Sequence, residues 1–178
     1  MWKKKSEDEL KHFSKKDPQL EDFEAKLMEF DGHITNVNLI GANHQIGALS
    51  LKTDNVKTSL KDYINQWKET FSRELHKKAK NLLEQLSDEI KQIRIKIDKP
   101  VKDIDSLGSV MFSLEEIRKK QSDISLQFKP INEMYNLVET YFSDSMDKEE
   151  IYQKENMNKI WDQLVNKSIT VRNELQGD

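Results

Sequence analysis

Residues 54–100 read DNVKTSLKDYINQWKETFSRELHKKAKNLLEQLSDEIKQIRIKIDKP, and this stretch decides the fold. Leu60, Ile64, Trp67, Phe71, Leu75, Ala79, Leu82, Leu86, Ile90, Ile93 and Ile97 step by four or three without a miss, which is the spacing of one face of an α-helix. Lys99-Pro100 ends the stripe, since proline breaks a helix interior. At ~1.5 Å per residue, residues 55–97 make a rod of roughly 60 Å. A rod that long needs apolar partners along its whole length.

The chain supplies two. Asp103 or Asp105 caps a second long helix, in which Ile104, Leu107, Met111, Leu114, Ile117, Ile124, Phe128, Ile131, Tyr135, Val138 and Phe142 keep a near-heptad spacing, with polar Gln121 in the missing step. Pro130 falls inside this stripe, yet the stripe keeps phase across it. Because proline removes one backbone hydrogen bond and crowds the preceding turn, the expectation is a kink near Phe128, or two stacked helices, without a change of direction. A polar turn follows at Ser143–Met146, and Asp147 with Glu150 three residues later has the form of a capping box. Met157, Trp161, Leu164, Ser168, Val171 and Leu175 then mark a last helix that ends near Gln176-Gly177. Short turns between long helices force alternating directions, so residues 54–178 read as an up-down-up antiparallel bundle.

Outside that bundle the pattern is weaker. Leu10, Phe13, Leu20, Phe23, Leu27 and Phe30 give helical spacing over residues 1–31, interrupted at Asp17-Pro18, where Asp is a preferred cap and Pro suits a first helical position. This predicts two short helices, the second ending near Asp31-Gly32. Residues 32–53 hold Gly32, Gly41 and Gly47 among Ile34, Val37, Leu39, Ile40, Ile46, Leu49 and Leu51. Leu49 and Leu51 alternate with Ser50, the period of a half-buried strand, so this connector is read as a loose hairpin or extended connector packed on the bundle, or as an irregular loop. The expected fold class is all-α: an elongated antiparallel bundle of three long helices, one kinked near Pro130, preceded by a short helical pair and a glycine-rich extended or hairpin-like connector.

Composition agrees. Of the 178 residues, 35% are hydrophobic and 34% charged, against roughly 45–50% and about 25% in an average domain, which suits thin helical cores. Five glycines and three prolines leave few places to turn. There is no cysteine, which excludes disulfides, thiolate-held metals and cysteine-nucleophile chemistry and fits a reducing compartment. A net charge of −3 lacks the basic field that drives nucleic-acid binding, so no nucleic-acid partner is expected. No apolar run approaches the ~18–20 residues that cross a bilayer. The expectation is a soluble intracellular protein with no membrane partner.

A search for chemistry finds no catalytic, cofactor-binding or metal site. Gly41-Ala42-Asn43-His44-Gln45-Ile46-Gly47 lacks the spacing and the Lys-Ser/Thr of a phosphate loop. His12, His33, His44 and His76 show no i, i+4 pairing, and each is read as solvated; His33 and His44 flank one connector but have no neighbouring carboxylates to complete a metal set. Glu115-Glu116 and Glu149-Glu150 are assigned to solvent faces, with Glu116 paired to Lys120. Lys3-Lys4-Lys5 and Lys77-Lys78-Lys80 are bordered by acids and are also read as solvated. Trp67 and Trp161 lie in phase with the stripes and are read as core residues; Trp2 is left stranded near the start.

Three stretches nonetheless have a specific likeness. Lys99-Pro100-Val101-Lys102-Asp103-Ile104-Asp105, then Leu114-Glu115-Glu116-Ile117-Arg118-Lys119-Lys120-Gln121, then residues 124–137 (ISLQFKPINEMYNL) closely resemble the tail of axonemal dynein heavy chains just before the linker, most nearly those of the outer arm. Trp2-Lys3-Lys4, Asp22-Phe23-Glu24, residues 46–51 (IGALSL) and Ile160-Trp161-Asp162-Gln163-Leu164 fit the same order, so the likeness covers nearly the whole chain. In that family an acidic residue is usual where Ser125 stands and a glycine where Lys129 stands. The resemblance implies a non-catalytic piece of a helical stalk that passes force between the anchored tail and the linker and ATPase ring of a ciliary, minus-end-directed microtubule motor. It implies ATP and Mg in the parent motor but no cofactor in this segment, and intermediate chains, light chains and neighbouring heavy chains as partners. It also implies a cytoplasmic, axonemal place in the cilium or flagellum, and an excised fragment. The alternative is an independent spectrin-like scaffold module that binds partner helices.

Overall fold

The computed structural model describes residues 2–142 and 146–176, with side chains described for 8–142 and 146–175. Helices α1 (Trp2–Ser14), α2 (Leu20–Leu39), α3 (Asp54–Ile97), α4 (Ile104–Tyr141) and α5 (Lys148–Gln176) flank one small antiparallel pair, β1 (Asn43–Ile46) and β2 (Leu49–Lys52). The protein is largely all-α, and α3, α4 and α5 are the three long packed helices. The expectations for the side chain of Trp2, for a polar turn at residues 143–145 and for Gly177 fall outside the described residues.

Two compact units divide the chain. The first comprises Met1–Lys77 with Asn136–Asp144, and the second Lys78–Tyr135 with Ser145–Asp178.

In the first unit an aromatic cluster forms the core. Phe23, Leu27, Phe30 and Phe71 are buried, with Leu10, Phe13, Ile64, Trp67, Leu137 and Tyr141 packed around Leu27, Phe30 and Phe71. Phe13 meets Phe23 and Phe71 edge-on at 5.0 and 5.1 Å between ring centroids, and Trp67 stacks on Phe71 at 6.1 Å. Such offset and edge-on contacts suit the ring quadrupoles and add to the gain from burial.

Two local expectations change here. Asp17 does not cap α2: it adopts the left-handed region at φ 49°, closing α1, and Gln19 becomes the cap, its N–H donating to Asp22 Oδ2 at 2.8 Å. A following proline disfavours the right-handed helical region for Asp17, while Asp tolerates the left-handed one. Likewise α2 does not stop at Asp31-Gly32 but runs to Leu39, because Val37 continues the buried stripe of Phe23, Leu27 and Phe30. Gly32 is simply an interior helical residue.

The hairpin forms with Asn43 opposite Lys52 and Ile46 opposite Leu49. Gly47, at φ +61°, occupies the first central position of the two-residue turn, where a positive φ is required and a side chain would be strained. Thr53 clamps its base, the N–H donating to the Ala42 carbonyl at 3.0 Å and the hydroxyl to the Gly41 carbonyl. The strand is not half-buried, however: all eight strand residues are exposed.

In the second unit, cross-helix pairs establish the direction of each helix. Lys96 of α3 meets Glu116 of α4 at 3.2 Å and Glu89 meets Lys120 at 2.7 Å, so numbering falls on one helix as it rises on the other. On α5, Lys80 faces Asp147 and Glu150, whereas Asp98 pairs with Lys167, so α3 and α5 run the same way. Tyr135 against Glu150 and Glu115 against Arg172 make α4 and α5 antiparallel. The order is up-down-up. Along the shared core lie Leu75-phase residues Ala79, Leu83, Leu86, Ile90, Ile93 and Ile97 of α3, Val110, Leu114, Ile117, Ile124, Phe128 and Ile131 of α4, and Met157, Trp161 and Leu164 of α5.

Four positions depart from the predicted stripes, the first being Leu60, which is exposed near the start of α3. Leu83 is 2% exposed while Leu82 is half-buried, so the step after Ala79 is four rather than three. Val110 replaces Met111, and Ile104 stands 86% exposed at the start of α4. At an apolar pair such as Leu82-Leu83, spacing alone permits either step, and the facing helices choose. Pro130 lies inside one uninterrupted helix, so α4 is not two stacked helices. Asp103 rather than Asp105 caps it, accepting from the Ser106 N–H at 2.7 Å while its own N–H donates to Ser106 Oγ at 3.0 Å.

Candidate functional site

A buried polar node gathers α3, α4 and α5 in the second unit. Glu150, assigned from sequence to a solvent face, is only 5% exposed. Its carboxylate accepts the Tyr135 hydroxyl proton at 2.6 Å and faces Lys80 Nζ at 3.4 Å, while its backbone N–H donates to Asp147 Oδ1 at 2.7 Å. Half of the expected capping box is therefore present. The glutamate side chain, instead of turning back to the Asp147 backbone, reaches inward to α3 and α4. A carboxylate in the first turn of a helix also sits at the favourable end of the helix dipole.

The electrostatics follow from this geometry. Burial first, and then donation to Glu150, push the Tyr135 hydroxyl well above the ordinary phenol range, with Glu84 and Asp147 adding to the effect. The charge of Glu150 is the largest influence raising Lys80 above the usual lysine value. Asp147 is held below the ordinary carboxylate range, chiefly by the N–H of Glu150. The node is thus a phenol and an ammonium that both meet one carboxylate. These pairings join α3, α4 and α5. A polar groove lined by Ser87, Asp88, Lys91 and Gln153 opens beside it.

The signal for this burial was present in the chain. Glu150 stands seven residues before Met157, in phase with the α5 stripe, and Tyr135 stands in the α4 stripe. A charged residue at a core position reads as an outlier until its partners are known.

Other singled-out residues fall as follows. Glu116 accepts from Lys120 at 3.2 Å as expected and from Lys96 as well, the latter contact chiefly lowering its carboxyl below the usual range. Trp161 is 1% exposed and Trp67 half-buried, both as core residues. The Trp161 indole N–H is buried without a hydrogen-bond partner. His33 meets Glu29 at 3.5 Å on α2, while His44 sits on the exposed face of β1. The glycines of residues 41–47 form the hairpin base and turn. Among the described residues, no group of three or more His, Asp or Glu side chains is placed to hold a metal, and no helix is long and apolar enough to cross a membrane.

In a second tie, within the first unit, Asp31 of α2 accepts the Tyr141 hydroxyl proton at 3.0 Å and pairs with Lys68 of α3, whose ammonium lies 4.8 Å from the Tyr141 ring centroid. This is again a carboxylate, a tyrosine and a lysine drawn from three helices.

No protein-family model matches the chain. Comparison with curated proteins finds the dynein gamma chain of the flagellar outer arm from Chlamydomonas reinhardtii, 36% identical over 141 residues, which is 79% of this chain and 3% of that protein. Dynein axonemal heavy chain 5 of Rattus norvegicus is 27% identical over 175 residues, covering 98% of this chain and 5% of the relative. Dynein axonemal heavy chain 8 of Homo sapiens is 22% identical over 175 residues, again 98% of this chain and 4% of the relative. The homologues of this chain are axonemal dynein heavy chains, and it spans only a few per cent of their length.

Proposed function

We propose, from its homology to axonemal dynein heavy chains, that this chain is a non-catalytic structural segment of a heavy-chain tail, lying just before the linker and passing force between the anchored tail and the linker and ATPase ring. The parent would be an ATP-driven, minus-end-directed microtubule motor of the ciliary or flagellar axoneme. Its partners are then other dynein subunits: intermediate and light chains and neighbouring heavy chains. The segment itself holds no nucleotide or metal site in this reading.

The single observation that carries the reading is the way α3, α4 and α5 are tied in the second unit. Ion pairs and the Tyr135–Glu150 contact bind the helices near both ends, and an apolar core runs between them. Close-packed interiors resist deformation and transmit strain. A continuous α4 across Pro130 supports the same conclusion.

The test uses the full heavy chain carrying Ile90→Pro, which breaks α3 at a buried turn. Basal ATPase is expected to persist while stall force in an optical trap falls severalfold. An unchanged stall force would remove the force-bearing role. Saturable nucleotide binding by the isolated chain would remove the non-catalytic one.

A further inference from the structure

The groove beside the Tyr135–Glu150 contact carries more acid than its own bases neutralise. It encloses about 330 Å³ between α3 and the start of α5, and all of its lining residues belong to the second unit. Five carboxylates line it against two lysines. Lys80 is shared between Asp147 at 3.5 Å and Glu150 at 3.4 Å, and Lys91 lies 3.4 Å from Asp88. These separations exceed the about 2.7–2.9 Å of a charge-assisted hydrogen bond, so the acids keep acceptor capacity. Glu84 and Glu149, also in the lining, form no ion pair with any described residue.

Ser87 opens onto the same groove. It is only 8% exposed, and no described residue hydrogen-bonds its hydroxyl. Within a helix a serine hydroxyl can bond a carbonyl three or four residues back, as those of Ser113, Ser125 and Ser168 do here. A nearly inaccessible hydroxyl without a partner costs stability, and a donor entering the groove would offset that cost.

We propose that the groove takes an arginine side chain presented by a partner polypeptide. A guanidinium donates five N–H bonds in one plane, enough for a carboxylate, the Ser87 hydroxyl and the Gln153 amide oxygen. It is more weakly hydrated than an ammonium, so entering a half-enclosed site costs it less. The acids are spread along α3 and α5, and among the described residues no three are placed to hold a metal ion. A planar organic cation with several donors suits that spread. The volume lies at the small end of ligand sites, ~300–1,000 Å³, so the arginine is one anchor of a wider contact and binds weakly by itself.

NMR titration of the wild-type chain with N-acetyl-arginine amide tests this. Saturable shifts are expected at the Ser87 and Gln153 amides with a Kd of about 1–10 mM. The uncharged isostere N-acetyl-citrulline amide should give none, and N-acetyl-lysine amide should bind at least about threefold more weakly. Glu84→Gln/Glu149→Gln, at two exposed positions where far-UV circular dichroism verifies folding, should weaken the arginine probe at least about threefold. Ser87→Ala should weaken it too, while melting no lower than wild type, since no internal bond is lost. An arginine probe without saturable shifts at the groove, or equal binding of the citrulline probe, would overturn the proposal. So would tighter binding of unblocked arginine, an unchanged affinity in the double variant, or a destabilised Ser87→Ala chain.

Discussion

Replacing Tyr135 with Phe isolates the hydroxyl that ties α4 to α5. The ring is fully buried, and Phe keeps its volume, so no cavity opens. The substitution removes the 2.6 Å hydrogen bond to a carboxylate that is itself nearly inaccessible. A net bond to a charged partner is worth about 1.5–3 kcal/mol. The contact of Glu150 with Lys80 at 3.4 Å involves a lysine that is 39% exposed and contributes about 0–1 kcal/mol. Tyr135→Phe should therefore cost about 2 kcal/mol near neutral pH, or roughly 4–8 °C in melting temperature for a chain of this size. Urea denaturation followed by circular dichroism measures it.

The pH profile adds a second, independent readout. The folded state raises the pKa of Tyr135 above its unfolded value, so its contribution is complete below about pH 10 and is lost as pH rises beyond that, by up to ~1.4 kcal/mol per pH unit. Lys80, also raised, loses stabilisation in the same direction as pH rises through its folded-state pKa. Tyr135→Phe removes only the first of these, so the gap between wild type and variant should narrow above pH 10. A cost below about 0.5 kcal/mol at neutral pH, or a gap that stays constant into the alkaline range, would refute the tie.

Two further substitutions check the corrected readings of the helices. Gly32→Ala should stabilise the chain by about 0.5–1 kcal/mol in thermal melts, since the added Cβ meets nothing within 4 Å and the residue is mid-helix; destabilisation would return the end of α2 to Asp31-Gly32. Leu83→Ala should cost about 2–4 kcal/mol in urea unfolding and Leu82→Ala less than half as much, because Leu83 is 2% exposed and Leu82 half-buried. Equal costs would put both leucines in the core.

The long helices were legible because three-and-four spacing over many turns has one physical solution: an apolar stripe must meet another stripe. The run from Phe71 to Ile97 and the Met157–Trp161–Leu164 series are buried where that rule puts them, apart from the choice between Leu82 and Leu83. The up-down-up order followed from short connections alone. The end of α2 was misread because glycine was taken as a stop. A helix ends at glycine only when the chain needs a left-handed residue there, and the apolar phase through Val37 kept α2 going.

Composition and periodicity by themselves determined a largely helical chain, its helix order and its cysteine-free character. Tertiary structure alone decided that Glu150 is inside and that Leu49 and Leu51 are outside. A charged side chain can be buried only when specific donors reach it, and Tyr135 and Lys80 come from two other helices, 15 and 70 residues away in the chain. An alternating strand is half-buried only when another surface covers it, and no local pattern records whether that surface is present.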